Sequence, residues 1–234
     1  MEHIRQAYTT TKAEKCTNRY QHVNSLELYS LIESLGFEKQ SANASKKAGD
    51  HSRHITIFRS GDVFGDSKLQ IVVDNSHDGS RACYIRIGLY RMVCANGLMI
   101  GTDLIKPYRI AHTGDVNKKL DDVRYYITAV VESIQMLMER FEKTVLDNFS
   151  INDFMRKAWI VRFGNDDGFD PFYFQAKRLE DTGATLWAVY NRVQERLMDK
   201  GLKKRSRAIT SLRRSVDFNV ELNNLANQYV KEAA

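Results

Sequence analysis

The sequence predicts an α+β fold: an antiparallel β-meander covered by one long helix, followed by a helical C-terminal extension. Three observations carry this. From Arg81 to Cys94 the residues alternate, with Cys83, Ile85, Ile87, Leu89 and Val93 on one side and Tyr84, Arg86, Gly88, Tyr90 and Met92 on the other, Arg91 interrupting the apolar set. A period of two sends those sets to opposite faces of a sheet. Asp78-Gly79 and Asn96-Gly97 supply hairpin-type turns before and after that strand. From Val116 onward, apolar residues recur at 120, 123, 127, 130, 131, 134, 137, 138, 141 and 145, the spacing of a helix about eight turns long.

In chain order, residues 1–24 are polar and mixed and are expected to form a flexible N-terminal arm. Ser25 is placed to cap a short helix whose stripe is Leu26, Leu28, Tyr29, Leu31, Ile32 and Leu35, with Gly36 where a C-terminal glycine belongs. Residues 40–53 are small and polar and read as a mobile loop. His54–Arg59 and Leu69–Val73 read as strands, with turn chemistry at Ser60-Gly61-Asp62 and Gly65-Asp66-Ser67 between them. Gly88 suggests a bulge or a close backbone approach. Leu98-Met99-Ile100 begins another strand before Pro107. The long helix starts near Thr113–Asp115. Ser150 is a candidate cap for the next helix, and further helices are expected at 172–180, 184–200 and 219–232. The resulting division is arm 1–24, α+β core 25–149 and helical extension 150–234.

Lys and Arg number 35 against 29 Asp and Glu, a net charge of +6, which favours acidic partners without choosing among them. Cys16, Cys83 and Cys94 are odd in number and fit no zinc spacing, so free thiols in a reducing compartment are expected. The first residues, MEHIRQAYTTTKAEK, hold no apolar secretory core. No run reaches the ~18–20 apolar residues of a membrane span. The expectation is a cytoplasmic protein of a bacterial cell with no membrane partner.

Four candidate sites follow. The first is a nucleic-acid surface of Arg81, Tyr84, Arg86, Tyr90 and Arg91, where cations meet phosphate and tyrosine rings stack on bases at roughly 1–3 kcal/mol each. The competing reading is an ordinary solvated sheet face with cross-strand Tyr-Arg packing. The second is the cationic run Lys203, Lys204, Arg205, Arg207, Arg213 and Arg214, which would attract a polyanion in a salt-sensitive way; a solvated helix connection explains it equally, and Lys46 and Lys47 could add to either surface. A metal site from Asp74, His77, Asp78, His112, His51 and His54 has the right ligand types. Turn preference already accounts for Asp78, though, and hydrogen bonds from His77 and His112 to loops account for those two, so no metal is expected. A nucleophilic Cys94 assisted by His77 or His112 is opposed by its apolar neighbours Met92, Val93 and Leu98. No P-loop, GxGxxG, HExxH or GxSxG pattern is present, so no enzyme activity and no cofactor are expected.

The segments Asn75-Ser76-His77-Asp78-Gly79-Ser80, Gly88-Leu89-Tyr90-Arg91-Met92-Val93-Cys94-Ala95-Asn96-Gly97-Leu98 and Arg109-Ile110-Ala111-His112-Thr113-Gly114 resemble a family of phage- and plasmid-borne proteins catalogued as domain of unknown function 932. In the last match, where the family has an RHTG-like helix entry, Ala111 separates Arg109-Ile110 from His112. Trp187, Tyr190, Asn191 and the stretches near Arg207–Ile209 and Leu222-Asn223 are similar to C-terminal parts of some members. The resemblance implies a mobile-element origin and no agreed activity. In topology alone, a strand meander followed by one long helix is similar to the core of the single-strand annealing recombinases of the RecT, Redβ and Erf kind. That resemblance implies rings or filaments that bind single-stranded DNA along a basic groove without nucleotide hydrolysis.

Together these readings point to a phage-derived protein that binds single-stranded DNA and promotes annealing in recombination or replication as a homo-oligomeric ring or filament. The alternative is a phage-encoded inhibitor that binds a host defence protein, with Met136, Met138 and Phe141 on the long helix as the contact surface.

Overall fold

The computed structural model describes residues 4–44, 49–64, 67–91, 107–198 and 212–232. They form two compact units, one of residues up to 91 together with 107–131, the other of residues 132–232.

The first unit is built on five antiparallel strands in sequential order: β1 (Phe37–Ala44), β2 (His54–Phe64), β3 (Ser67–Asn75), β4 (Cys83–Arg91) and β5 (Tyr108–Ile110). This is the expected meander. Register puts Phe58 opposite Ile71 and Ile71 opposite Ile87, and likewise Thr56 opposite Val73 and Val73 opposite Ile85. These residues, with Cys83 and Leu89, are buried and form the apolar face that β4's alternation foretold. Each buried aliphatic side chain contributes about 1.5–3 kcal/mol. The opposite face carries Arg59, Gln70, Asp74, Tyr84, Arg86 and Arg109.

Several expectations about the strands are corrected. Residues 40–44, read as part of a loop, complete β1, whose pairing runs from Phe37–Ser60 to Ala44–His54. An edge strand needs only backbone hydrogen bonds on one side, so its small polar residues suffice. Ser60-Gly61-Asp62 is not a turn: β2 continues through it with a register shift between Arg59 and Val63. No irregularity occurs at Gly88, which pairs in register with Gln70. Gly65-Asp66, Asn96-Gly97 and the Leu98–Ile100 strand lie outside the described residues.

Helix α2 (Ser25–Ser34) lies on the apolar face through Tyr29, whose ring meets Phe58 at 5.3 Å and whose hydroxyl shares a 2.8 Å hydrogen bond with the Thr56 hydroxyl. Its cap is Asn24, not Ser25: the Asn24 side chain accepts from the Leu26 N–H. Ser25 is instead buried as the first helical residue. Gly36 follows with φ +85°, the left-handed conformation that glycine adopts freely. Helix α3 (Val116–Lys143) starts at Asp115, which accepts from the Lys118 N–H, and runs on into the second unit. In the first unit Tyr126 of α3 packs on Tyr108 of β5 at 5.1 Å, and Arg124 bonds the Ser34 hydroxyl of α2. Helices α2 and α3 thus both flank this sheet.

The N-terminal segment, expected to have little order of its own, carries a short helix α1 (Arg5–Tyr8) with Ala7 fully buried. It is tied down by Ala13 N–H to the His77 carbonyl, Gln21 N–H to the His112 carbonyl and Tyr20 hydroxyl to the Ser76 carbonyl.

The second unit holds the end of α3, α4 (Asn148–Phe163), α5 (Leu186–Leu197) and α6 (Leu212–Glu232). Asp147, not Ser150, caps α4, and it does so by accepting the Ser150 N–H. Gly164 ends α4 at φ +86°. The helix expected over 172–180 is two 3-10 turns, Pro171–Phe174 and Leu179–Asp181. Tyr173 and Phe174 both pack edge-on against Trp159, and Arg196 supplies the Gln175 carbonyl with the hydrogen bonds a helix would have given it. Met138 and Phe141 are buried, which removes them from any partner surface, whereas Met136 is 60% exposed. Among the described residues no helix is long and apolar enough to cross a membrane.

Candidate nucleic-acid interface

The polar face of the sheet is organised around Asp74 of β3. Its carboxylate has no solvent exposure, although it sits on the face that alternation assigns to water. Arg53, just before β2, reaches it with two nitrogens, Nε at 2.7 Å and Nη2 at 3.1 Å. Arg81 Nε lies at 3.1 Å and Arg86 Nη1 at 3.5 Å. Burying a carboxylate is tolerable only with such compensation. Three guanidiniums around one carboxylate leave two net positive charges on the face. The hydrogen bonds to Asp74 hold the Arg53 guanidinium's pKa above its usual value. Desolvation pulls that of Arg86 below it, with Asp74 opposing.

Of the residues the sequence singled out, Arg81, Tyr84 and Arg86 come together here. The Tyr84 ring centre lies 5.6 Å from the Arg81 guanidinium and 5.2 Å from that of Arg86, within cation–π range. Tyr90 is differently placed: the Arg59 guanidinium lies 3.4 Å over its ring while donating to Gln70 Oε1. One face of Tyr90 is therefore covered by the chain itself and cannot stack on a base. Arg91 closes β4 opposite Ser67, and its side chain lies outside the described residues. So do Lys46, Lys47, Lys203, Lys204, Arg205 and Arg207, and the side chains of Arg213 and Arg214 in the first turn of α6. Sequence reasoning missed Arg53, Arg59 and Arg109, because only the strand register brings Arg59 and Arg109 to this face, Arg109 pairing directly with Tyr84, and only the fold brings Arg53 to Asp74.

The loop from β3 to β4 fixes Arg81. Ser76 Oγ accepts the Arg81 N–H and donates to the Arg81 carbonyl, and Asp78 Oδ1 accepts the Ser80 N–H, so residues 76–81 close on themselves. Gly79 sits at φ +76° between them. Hydrogen bonds from Ser80 and Lys15 outweigh desolvation and hold the Asp78 carboxyl at about 2.

The histidines named as metal candidates pack by ring stacking. His77 lies between His22 at 4.4 Å and His54 at 5.1 Å, and His112 stacks on Tyr20 at 4.5 Å. His112 Nδ1 bonds the Gln21 carbonyl, and His51 Nε2 the Thr11 hydroxyl. Burial, reinforced by its histidine neighbours, drives the His77 pKa down to about 3. Among the described residues no group of three or more His, Cys, Asp or Glu could hold a metal ion. Asp74 is committed to arginines instead. Cys94 lies outside the described residues.

The family described as "Domain of unknown function (DUF932)" matches residues 13–226. The chain belongs to this family. Two relatives from Escherichia coli (strain K12), the UPF0380 protein YfjQ and the UPF0380 protein YafZ, are each 26% identical over 227 residues, covering 92% of this chain and 83% of the relative. No solved structure matches the chain. In this DUF932 chain the Asn75–Ser80 motif is thus a self-capped loop whose physical effect is to set Arg81 beside Asp74. The Arg109–Gly114 motif supplies the last two residues of β5 and, in His112, the ring that stacks on Tyr20.

Proposed function

We propose that this protein binds nucleic acid, single-stranded DNA foremost, and promotes annealing of complementary strands in recombination or replication as a homo-oligomer, without hydrolysing a nucleotide. The observation that carries the reading is the Arg53, Arg81 and Arg86 cluster on a sheet face, held in place by one buried carboxylate and flanked by Tyr84. Guanidiniums in that number attract phosphate with geometric selectivity, and the Tyr84 ring offers a stacking surface that tolerates any base. Annealing and the ring or filament rest on the resemblance to strand-annealing proteins, the phage setting on the resemblance to the domain of unknown function 932 family, and this face is where one strand would be presented to another.

The test is fluorescence anisotropy of labelled single- and double-stranded oligonucleotides at low and high salt. Binding that favours the single strand and falls with a log–log salt slope of about −0.7 per phosphate contact is the expected result. Replacing Arg86 by Glu and Tyr84 by Ala is expected to abolish it. Absence of binding at low salt refutes the reading.

A second reading, inhibition of a host defence protein, is favoured by a different observation. Phe149, Phe172 and Leu179 in the second unit are 81%, 76% and 85% exposed, and the surface first expected at Met138 and Phe141 is core. A single stoichiometric partner in a pull-down, lost when Phe149 and Phe172 become Ser, would support it.

A further inference from the structure

A cleft of about 570 Å³ opens in the first unit between the N-terminal segment, the 76–81 loop and β5. That volume is in the range of small-molecule sites, roughly 300–1,000 Å³. Three cations line it: Lys15, Arg81 and Arg109. Arg81 meets Asp74 through Nε, so its terminal nitrogens carry no hydrogen bond among the described residues. Arg109 is exposed and forms no ion pair among them. Of the two anions at hand, Asp78 is engaged by Lys15 Nζ at 3.3 Å and by the Ser80 N–H and Asp74 by Arg81, which leaves Arg109 as the cation without an acidic partner among the described residues. Thr113 adds a hydroxyl donor to the lining, while the Ser80 hydroxyl donates to Ser76 Oγ at 3.4 Å. Tyr20 and His112 also line it, their rings stacked on each other 4.5 Å apart. Two guanidiniums, one of them oriented by Asp74, with a lysine, a hydroxyl and aromatic rings in one cleft suit a phosphate carried by a nucleoside better than they suit a simple carboxylate.

We propose that this cleft is a phosphate site that takes a nucleotide phosphate monoester, supplied either by the 5′ end of a strand or by a free mononucleotide. The first source rests on the nucleic-acid reading above; the second does not. The phosphate seats between Arg81 and Arg109, and the base lies toward Tyr20 and His112.

Two measurements on the full chain test this. In the first, inorganic phosphate and dAMP are titrated into ¹⁵N-labelled protein while the Gly79, Ser80 and Thr113 amides are followed. In the second, oligonucleotides of one sequence with a 5′-phosphate or a 5′-hydroxyl are compared by anisotropy. Saturable shifts with dAMP, stronger than with phosphate and lost in Arg109→Gln and Lys15→Gln, support a free nucleotide. Binding about tenfold tighter for the phosphorylated strand, a preference lost in the same variants, supports a strand end; loss of one charge-assisted contact is of that order. If neither oligonucleotide binds while dAMP still shifts these amides, the DNA reading fails and the phosphate site stands. If neither phosphate nor dAMP shifts them and the two oligonucleotides bind equally, the proposal is overturned, whatever the DNA affinity.

Discussion

Replacing Asp74 by Asn keeps the shape of the side chain and removes the one negative charge that three guanidiniums share. Breaking a buried ion pair by removing one partner costs roughly 3–5 kcal/mol, because the remaining charge stays buried and unpaired. Here the figure must be discounted. The Arg53 and Arg81 side chains are 45% and 36% exposed and can turn toward water, whereas Arg86 at 16% cannot. An Asn oxygen still accepts from one of them. The expected loss is therefore about 2–3 kcal/mol, carried mostly by Arg86. Urea unfolding followed by far-ultraviolet circular dichroism measures it, with the midpoint expected to fall and the slope to stay unchanged. Arg53→Gln, which removes an exposed partner, is expected to cost about 1 kcal/mol or less. The D74N protein that remains folded presents one more net positive charge, so its affinity for single-stranded DNA should hold or rise. An unchanged midpoint in Asp74→Asn would show that the carboxylate does not organise the face. A D74N protein that stays folded but binds DNA distinctly more weakly at low salt would separate the cluster from the interface.

The remaining predictions concern the loops that frame this face. The folded-state pKa of His77, about 3, lies below the unfolded value near 6.5, so its contribution is fully present above pH 6.5 and is lost as pH falls toward 3. Between pH 7 and pH 5 the parent should lose about 2 kcal/mol from this group alone, and His77→Gln should flatten that slope in pH-dependent unfolding; equal slopes would refute it. Gly79→Ala places a Cβ at φ +76° and 3.4 Å from Cys16 Sγ, at an expected cost of about 1–2 kcal/mol, read as a lower thermal midpoint.

The first unit was legible in the sequence wherever one residue type repeated with a fixed period. The alternation of β4 placed Ile85 and Ile87 inside and Tyr84 and Arg86 outside, and the stripe of α3 placed Val123, Ile127 and Val130 inside. What the sequence did not show depended on pairing. β1 has no large apolar residue after Phe37, so nothing local marks its second half; its backbone bonds to β2 define it. Arg59 and Arg109 are placed on this face by strand register, Arg59 opposite Gln70 and Arg109 opposite Tyr84, and Arg53 by its reach to Asp74. The caps were displaced for a related reason. Asn24 and Ser25, or Asp147 and Ser150, are all good capping residues, and only the backbone decides which one adopts the extended conformation of the cap, as Asn24 and Asp147 do.

Asp74 changes how the arginine face must be understood. A carboxylate at its centre removes one unit of charge, which weakens long-range attraction of a polyanion. It also restrains three long side chains whose free rotamers carry about 2 kcal/mol of entropy each. A phosphate arriving at Arg81 or Arg86 meets a guanidinium already oriented, so less ordering cost falls on binding. The two effects separate experimentally. If attraction dominates, removing the acid should steepen the salt dependence and strengthen binding. If orientation dominates, the salt slope should steepen while affinity at high salt, where screening has removed the long-range term, falls below that of the parent. The self-closed 76–81 loop and the Tyr84 ring between two guanidiniums both act to restrict motion. The second outcome is therefore the one this geometry predicts for Asp74→Asn at high salt, even if affinity at low salt holds or rises.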